Sequence, residues 1–346
     1  MPIEENNTVK TVTLTEQQKE LVSKAQKIHQ EQFGNKTWFG RCIFLSWYCS
    51  KGTCDFCFRS TQKHKIAFAD NARRTKKSIL TEAIITKTNN WKIEFLTGGY
   101  GVYPFSEILN FAKLCHDIFK EKIWINLGIL EKEELEQLKP YVEGIVASLE
   151  TPNPDVHKKT CPDKNFNEYL NMLDEAKKLG FKTGITIVLG IGETTKDYEL
   201  AKKIIQKHNI TRITYYALRP VKGTLYKNGP EPEQVAEWIA RTRIDFPQIE
   251  IMAGTAVTRI PEIKYLLQAG ANGFTKLPAT KLFGTNIAKK IIQETKNAKR
   301  ELESEFLKLN TKEWEEIANN LKLDEKEKTE LLNKLEDYKE MMTKQQ

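Results

Sequence analysis

The chain has 346 residues, of which 40% are apolar and 29% are charged, and its formal net charge is +8. These values are typical of a globular protein, and no apolar run approaches the roughly 20 residues that a membrane span needs. Residues 1–15 are polar and lack the apolar core of a secretory signal, so we expect a cytoplasmic protein without membrane contact. Lysines and glutamates alternate in segments such as residues 131–139, which is typical of solvated helix faces. We therefore do not expect nucleic-acid binding.

Eight short apolar, β-branched runs alternate with amphipathic helical stretches along the chain. Near-continuous apolar strands that alternate with helices indicate a parallel sheet covered by helices. Eight such units predict a (β/α)₈ TIM-type barrel, and a doubly wound open sheet is the alternative. The predicted strands are residues 43–49, 91–98, 122–128, 144–151, 182–190, 212–220, 249–255 and 273–278. The predicted helices between them include residues 105–120, 165–179, 195–208 and 232–245.

The segments on either side of this barrel are predicted to be helical. A helical pattern over residues 15–33 indicates an N-terminal helical segment, residues 1–34, before a barrel over residues 35–285. Residues 286–346 are charged and helical, and we expect one or two amphipathic helices that pack on the barrel or bind a partner. The apolar stripe behind this prediction is Leu302, Phe306, Leu309, Trp314 and Ile317.

Three of the six cysteines, Cys49, Cys54 and Cys57, fall within nine residues after the first predicted strand. Clustered thiols in a chain without a secretory signal indicate a metal site rather than disulfides. Three thiolates on one loop can hold three irons of a [4Fe–4S] cube, which leaves the fourth iron open to a chelating small molecule. The alternative is a structural zinc site with His64 as the fourth ligand. Cys42, seven residues upstream of Cys49, is expected to be structural.

This loop resembles the cluster loop of the radical S-adenosylmethionine (SAM) superfamily. The usual spacing there is C-x₃-C-x₂-C with an aromatic residue before the last cysteine, and Phe56 holds that position. The present chain has one additional residue between its first two cysteines. The resemblance implies that Cys49, Cys54 and Cys57 bind the cluster and that Phe56 lies near SAM. It also implies that the reduced cluster cleaves SAM to methionine and a 5′-deoxyadenosyl radical, which takes a hydrogen atom from a substrate.

Further motifs of the superfamily follow in the expected order over residues 35–285. Gly98 and Gly99, after the second predicted strand, resemble the pair whose backbone contacts the SAM amino group, although Tyr100 replaces the usual acidic residue. Glu150 is similar in position to the carboxylate that binds the SAM ribose. The resemblance also implies four SAM contacts after the fifth and sixth strands: Gly190, Gly192, Glu193 and Arg219.

One position departs from the pattern of the family. Related enzymes carry an arginine after the fourth strand that binds the SAM carboxylate, and Tyr169 stands there in this chain. We expect Arg219 or a lysine to take over this role. Cys115, within the predicted helix 105–120, is expected in the core. Cys161 is a candidate to face the pocket or to bind a second iron–sulfur cluster.

Residues 150–193 most resemble the biotin synthase subgroup. This subgroup includes biotin synthase, a diiron-hydrogenase maturase, methylornithine synthase, the guanylylpyridinol cofactor enzyme and the archaeal two-component lipoyl synthase. The cysteines that hold the second cluster of biotin synthase are replaced here by Leu96, Trp124 and Gly184, so true biotin synthase is not expected. The segments that most resemble the lipoyl synthase subunit are residues 47–49, 60–62 and 95–101.

These resemblances imply a radical enzyme of cofactor biosynthesis, with lipoyl synthase-type sulfur insertion as the first interpretation. Sulfur would then require a partner subunit, and the cluster would require an electron donor such as ferredoxin or flavodoxin. The substrate would be a small molecule or an acyl carrier. The alternative reaction is carbon-skeleton or cofactor-building chemistry of the maturase, guanylylpyridinol or methylornithine type. The alternative from another class is an iron–sulfur electron-transfer or sensor protein without SAM chemistry.

Overall fold

The computed structural model describes residues 12–345 and contains a closed barrel of eight parallel strands. The barrel strands are β1 (Lys36–Phe44), β2 (Lys92–Thr97), β3 (Ile123–Asn126), β4 (Val142–Glu150), β5 (Lys182–Leu189), β6 (Arg212–Ala217), β7 (Glu250–Gly254) and β8 (Gly273–Thr275). A short ninth strand, β9 (Glu301–Leu302), pairs with the start of β1. Each barrel strand pairs in parallel with the next, and β1 pairs with both β8 and β2. The predicted (β/α)₈ barrel is confirmed.

Helices cover the outside of the barrel. Within residues 12–345 the α-helices are α1 (Glu16–Phe33), α2 (Phe58–Gln62), α3 (Lys76–Thr88), α4 (Phe105–Phe119), α5 (Lys132–Leu138), α6 (Pro154–Thr160), α7 (Phe166–Lys178), α8 (Tyr198–Lys207), α9 (Pro232–Asp245), α10 (Ile263–Gln268), α11 (Ala279–Leu282), α12 (Asn286–Asn297), α13 (Trp314–Asn320) and α14 (Glu325–Thr343). None of these helices is long and apolar enough to cross a membrane. Residues 1–11 of the predicted N-terminal segment and residue 346 lie outside the described part of the chain.

Side chains alternate between two apolar environments along the strands. Outward-facing residues such as Ile43 and Phe274 join the main core beneath the helices. The inward-facing residues form a second, smaller cluster inside the barrel, with Phe56 of the cysteine loop packed against it. Strands that are covered on both faces are therefore apolar on both faces, which is why their sequences read as nearly continuous apolar runs.

Large side chains fill the lower, N-terminal part of the barrel opposite glycines. A Cβ atom on Gly144 would lie 2.3 Å from the ring of Trp124. A Cβ atom on Gly40 would lie 2.8 Å from the Met252 methyl group. These glycines are required because a large side chain from another strand occupies the space that their own side chains would need. The lower part of the barrel is therefore filled by side chains, and the loops that carry the cysteines follow the strands at the upper, C-terminal edge.

The prediction of residues 43–49 for the first strand is wrong. The strand runs from Lys36 to Phe44 because this segment makes the ladder contacts with both β2 and β8 that close the barrel. The chain leaves the barrel after Phe44, and residues 45–57 form a loop at its upper edge. The cysteines therefore lie on a longer loop than the sequence indicated.

The prediction of a helical stripe from Leu302 to Ile317 is also wrong in its first part. Leu302 belongs to β9, which pairs with the start of β1. Phe306 is fully buried and packs against the rings of Phe39 and Trp91. Its apolar character comes from covering the lower edge of the barrel, and helical structure resumes only at α13.

Candidate functional site

The three clustered cysteines lie on the loop that follows β1. The sulfur of Cys49 accepts hydrogen bonds from the backbone N–H groups of Gly52 and Tyr100, each at 3.4 Å. The N–H of Cys57 donates to the carbonyl of Cys54 at 3.1 Å, and α2 begins directly after Cys57. Backbone N–H groups that point at a sulfur favour its thiolate form and are a common feature of iron–sulfur sites.

The predicted glycine pair lies directly against this loop. A Cβ atom on Gly99 would lie 2.1 Å from the carbonyl oxygen of Tyr48 and 2.6 Å from the Cβ of Cys49. The N–H of Ser50 also donates to the carbonyl of Tyr100 at 3.0 Å. No larger residue fits at position 99 without displacing the cysteine loop. The glycine therefore sets the position of Cys49 over the barrel.

Glu150 ends β4 in an unusual backbone conformation. Its φ is +66°, and the pairing of β4 with β5 shifts between Ser148 and Glu150. A bulge of this kind re-aims the side chain at the end of a strand. The Glu150 carboxylate accepts a hydrogen bond at 2.6 Å from the Lys164 ammonium, and both side chains are at most 13% exposed. A buried cation therefore lies beside the predicted SAM-binding carboxylate.

Lys164 lies between α6 and α7 and is positioned by His157. One ring nitrogen of His157 contacts a β4 carbonyl at 2.7 Å, and the other contacts the Lys164 carbonyl at 3.2 Å. The ammonium lies 5.8 Å from the centre of the Tyr169 ring, and the Tyr169 hydroxyl bonds to that of Tyr100. Burial lowers the pKa of Lys164, but Glu150 and the other acidic groups around it together hold this pKa well above its ordinary value. Lys164 therefore stays positively charged.

Cys161 contacts one of the clustered cysteines. Its thiol is hydrogen-bonded to that of Cys54, and the N–H of Asp55 donates to the carbonyl of Thr160 at 3.0 Å. The hydrogen bond from Cys161 lowers the pKa of Cys54, burial opposes this effect, and the charge of Lys164 adds to the lowering. A lower pKa favours the thiolate that binds iron. Cys161 is thus buried within the site, against a predicted ligand.

Glu193 closes the loop that follows β5. Its carboxylate accepts hydrogen bonds from the N–H groups of Gly190 at 2.6 Å and Ile191 at 3.0 Å, and the Gln234 amide donates to it at 2.9 Å. Gly190 and Gly192 have φ values of +102° and +123°, in the region that favours glycine. Glu193 therefore shapes the turn at this strand end through bonds to the backbone.

Phe56 and Arg219 lie at different depths. Phe56 is partly buried between the cysteines and the barrel interior, whereas Arg219 follows β6 and is exposed. In the same loop as Arg219, the Tyr226 hydroxyl donates to the Asp55 carboxylate at 3.0 Å. This bond connects the loop after β6 with the cysteine loop. Of the two cations considered for the SAM carboxylate, Lys164 is buried within the site, whereas Arg219 is exposed at the edge of the site.

The donor set fits a [4Fe–4S] cube with one open iron. Within residues 12–345, no three His, Cys, Asp or Glu side chains converge on a point where one metal ion could be held. A cube does not need such convergence, because each thiolate binds a different iron. A zinc ion does need it, and His64, the proposed fourth zinc ligand, is exposed. The arrangement therefore favours the cluster over zinc.

Known proteins are similar to this chain in sequence and in fold. The model of the Radical SAM superfamily matches residues 45–204. The uncharacterized protein MJ0597 of Methanocaldococcus jannaschii is 39% identical over 82% of this chain and 79% of its own length. A 3-methylornithine synthase of Methanosarcina barkeri is 23% identical over 74% of each chain, and a biotin synthase of Endomicrobium trichonymphae is 27% identical over 73% and 81%. The crystal structure of methylornithine synthase (PylB) has a TM-score of 0.66 at 21% identity, over 76% of this chain and 79% of that one.

This chain belongs to the radical SAM superfamily. It is a radical SAM enzyme with biotin synthase-like and methylornithine synthase-like relatives, as the resemblance of residues 150–193 predicted. Membership implies a [4Fe–4S] cluster and SAM. The likeness to the methylornithine synthase structure shows the fold alone.

Two buried charged residues were not identified from the sequence. Lys164 lies in a segment rich in charged residues, residues 155–164, so nothing distinguishes it from a surface lysine. Glu94 does carry a signal, because it is the only carboxylate between Trp91 and Gly98 in an otherwise apolar strand. A charge in a strand that is covered on both faces requires a partner inside the protein.

Proposed function

We propose that this enzyme takes part in cofactor biosynthesis by removing a hydrogen atom from a small substrate held inside the barrel. The observation that carries this proposal is the buried Lys164–Glu150 pair next to Cys54, at the upper edge of the barrel. When bound, the cluster and SAM supply the 5′-deoxyadenosyl radical that removes the hydrogen atom. The closed barrel keeps water away from this radical.

Each residue of the site has a role in this proposal. Cys49, Cys54 and Cys57 would each bind one iron. Lys164 would bind the SAM carboxylate in place of the arginine that the family usually carries, and Glu150 would bind the SAM ribose or ammonium. The two side chains now neutralise each other, and SAM brings both a carboxylate and an ammonium group. Each buried charge therefore keeps an opposite charge when SAM binds.

The remaining SAM contacts in the proposal come from backbone. Gly98 and Gly99 would present their backbone to the amino group, and Gly190 and Gly192 would allow the chain to approach the adenine closely. Glu193 would act indirectly, by holding the glycine turn in shape.

Two reactions are candidates within this class. Sulfur insertion of the lipoyl synthase type is supported by the resemblance of the cysteine loop to that group. Among the described inward-facing residues of the barrel wall, Cys42 is the only thiol, since Trp124 and Gly184 occupy two of the positions that hold cluster cysteines in biotin synthase. Without a second cluster in this chain, sulfur would have to come from a second protein.

A rearrangement or fragmentation of a small molecule is the second candidate. It is supported by the methylornithine synthase relative, which matches three quarters of this chain. It is also supported by the polar groups in the barrel interior, Cys42, Glu94 and Tyr216, which suit a reaction that ends with a new C–H bond. We favour this candidate.

The test is anaerobic reconstitution with iron and sulfide, followed by reduction and addition of SAM. We expect about four irons per chain and the release of 5′-deoxyadenosine. About eight irons would support sulfur insertion through a second cluster, with Cys161 as a candidate ligand. A protein that carries its cluster but forms no 5′-deoxyadenosine and does not bind SAM would instead be an electron carrier or sensor.

A further inference from the structure

A carboxylate lies inside the barrel, below the candidate SAM site. Glu94 sits where the pairing of β2 with β1 shifts register, between Arg41 and Cys42 on the β1 side. The bulge turns Glu94 towards the barrel interior, where it contacts side chains of β1, β6 and β8. Gly40 leaves space for it, since a Cβ atom there would lie 3.3 Å from the Glu94 Cβ.

Neutral groups surround this carboxyl. One oxygen accepts hydrogen bonds from the hydroxyls of Thr214 at 2.9 Å and Tyr216 at 3.1 Å. The other contacts the Cys42 thiol at 2.8 Å and the Thr275 hydroxyl. Both oxygens are therefore occupied by side chains that carry no charge. A charged carboxylate in this position would lack the cation that Glu150 has at the barrel edge.

The hydrogen bonds and the burial of Glu94 favour a neutral acid. The Thr275 hydroxyl has one proton and lies against two acceptors, the Gly40 carbonyl at 2.7 Å and the Glu94 carboxyl. A proton on the Glu94 carboxyl would satisfy both contacts. Burial also raises the pKa of Glu94. Arg212 bonds to the backbone carbonyl of Glu94 and to the carboxylate of Glu250, so its charge is paired with Glu250 and not with the Glu94 carboxyl.

The same network holds Cys42 in its S–H form. Burial raises the pKa of Cys42 well above its ordinary value, and the hydrogen bond to Glu94 adds to this effect. Its thiol donates to Glu94 and also lies 3.8 Å from the Tyr216 hydroxyl. A thiolate would suit metal binding or nucleophilic attack. A neutral S–H bond is weak and suits the transfer of a hydrogen atom to a carbon radical.

Cys42 and Tyr216 line the same inner surface as Phe56 of the cysteine loop. Cys42 stands two residues before the end of β1, or about 7 Å of strand below the upper edge. The outward-facing Ile43 is 0% exposed, whereas Cys42 is 4% and Tyr216 is 8% exposed. Cys42 and Tyr216 therefore belong to the interior cluster and keep a small exposed surface there, unlike Ile43 in the core beneath the helices. Gly254 allows the Tyr216 ring its position, because a Cβ atom there would lie 1.9 Å from that ring.

We propose that Cys42 donates a hydrogen atom to a carbon radical formed inside the barrel, with Tyr216 as the group that restores the thiol. The inference rests on the proposed radical function. The S–H bond of Cys42 breaks and a C–H bond forms, which leaves a thiyl radical. The Tyr216 O–H bond then gives its hydrogen atom to the thiyl radical and leaves a phenoxyl radical. One electron from a low-potential carrier, the class of donor that the cluster also requires, and one proton from solvent regenerate the tyrosine.

This assignment defines the class of reaction. A substrate radical that takes a hydrogen atom from an S–H group ends as a product with a new C–H bond. No carbon–sulfur bond forms. The structure therefore assigns a substrate that is rearranged or fragmented and then receives a hydrogen atom at the radical carbon.

The experiment follows an isotope in the absence of substrate. Reconstituted enzyme in D₂O receives SAM and titanium(III) citrate, with no added thiol. The 5′-deoxyadenosine that forms has to take its new hydrogen from a group in the barrel. We expect one deuterium in this product from the wild-type enzyme and none from Cys42→Ser, because a hydroxyl is a much poorer hydrogen-atom donor. Thr214→Val, which removes another bond to Glu94, and Cys115→Ser, in the core outside the barrel, should keep the deuterium.

A second measurement uses the apoprotein and no SAM. The infrared S–H band that is missing in Cys42→Ser should persist in wild type above the ordinary thiol pKa of about 8.5. Loss of this band at that pH, or deuterium that remains in the Cys42→Ser product, would overturn the role of Cys42. Wild-type enzyme that forms 5′-deoxyadenosine without deuterium would overturn it as well. Wild-type enzyme that forms no 5′-deoxyadenosine would overturn the proposed function itself.

Discussion

The upper edge and the interior of the barrel each contain a buried glutamate, and they neutralise it in different ways. At the edge, Glu150 is paired with the ammonium of Lys164, which a loop brings to the strand end. In the interior, Glu94 is surrounded by hydroxyl and thiol groups of neighbouring strands. A loop delivers a long cationic side chain to the edge, whereas the groups that bond to the Glu94 carboxyl are neutral side chains of the surrounding strands. The charged pair at the edge suits the binding of a charged ligand, and the neutral groups in the interior suit the transfer of a hydrogen atom.

The largest expected effect is at the edge, in Cys54→Ala. This variant should lose the cluster, because two thiolates on this loop do not hold a cube stably. Cys115→Ala should load iron as the wild type does, because Cys115 is buried in α4 away from the site. Iron per chain and the visible absorption of the reconstituted proteins measure both. Equal iron contents in the two variants would contradict the ligand assignment.

Gly99→Ala tests whether the cysteine loop depends on its contact with the glycine pair. The new methyl group would clash with Tyr48 and Cys49, so the loop has to move and most of the cluster should be lost. Gly98→Ala is the matched control, because its closest contact would be the Val102 side chain at 3.2 Å. If Gly99→Ala loads iron as well as Gly98→Ala, the loop is not positioned by this contact.

Lys164→Met tests the charge at the edge. It should weaken SAM binding about 10- to 100-fold, since a hydrogen bond to a charged group contributes about 1.5–3 kcal/mol. Lys164→Arg should retain most of the affinity. The double variant Lys164→Met/Glu150→Gln separates binding from folding, because it leaves no unpaired buried charge. Equilibrium dialysis with labelled SAM measures the affinity. Normal affinity in a folded double variant would rule out these two residues as SAM ligands.

Glu94→Gln tests the neutral acid in the interior and should have the smallest effect. Because burial raises the pKa of Glu94, the wild type loses stability as pH rises from the ordinary carboxyl pKa of about 4.3 towards the raised value. Glutamine has no proton to lose. The variant should therefore gain up to about 1.4 kcal/mol of relative stability per pH unit within this window.

Urea unfolding of the apoprotein at several pH values between about 5 and 8 measures this difference. Glu150→Gln is the comparison, since it leaves the buried Lys164 without its partner and should lower stability. A difference between Glu94→Gln and wild type that stays constant with pH would show that Glu94 is not a neutral acid with a raised pKa.

The alternation of apolar strands and amphipathic helices was sufficient to predict the barrel, and the cysteine spacing was sufficient to select the loop that we propose binds the cluster. These signals are local, because they depend on residues close together in the sequence. The contact of Cys161 with Cys54 joins residues 107 positions apart across two loops. No local pattern specifies such a contact. The first strand was misplaced for a related reason, since its limits are set by pairing with β2 and β8.

The contacts around Cys42 and Glu94 are also not specified by any local sequence pattern. The sequence suggested a structural role for Cys42, and nothing near it indicates a partner. Its contacts come from β2, β6 and β8, which only the closed barrel brings together. A bulge also places Glu94 inside, and register shifts of this kind have no sequence pattern of their own here.

The filled lower end of the barrel has a consequence for the order in which molecules enter and leave. Trp124 and Met252 occupy the lower interior, and the segment around β9 covers the edge beneath them. A substrate next to Cys42 would lie deeper than SAM, so it has to enter first and its product has to leave last. Steady-state kinetics should therefore show ordered addition, and excess SAM should inhibit by occupying the entrance before the substrate arrives.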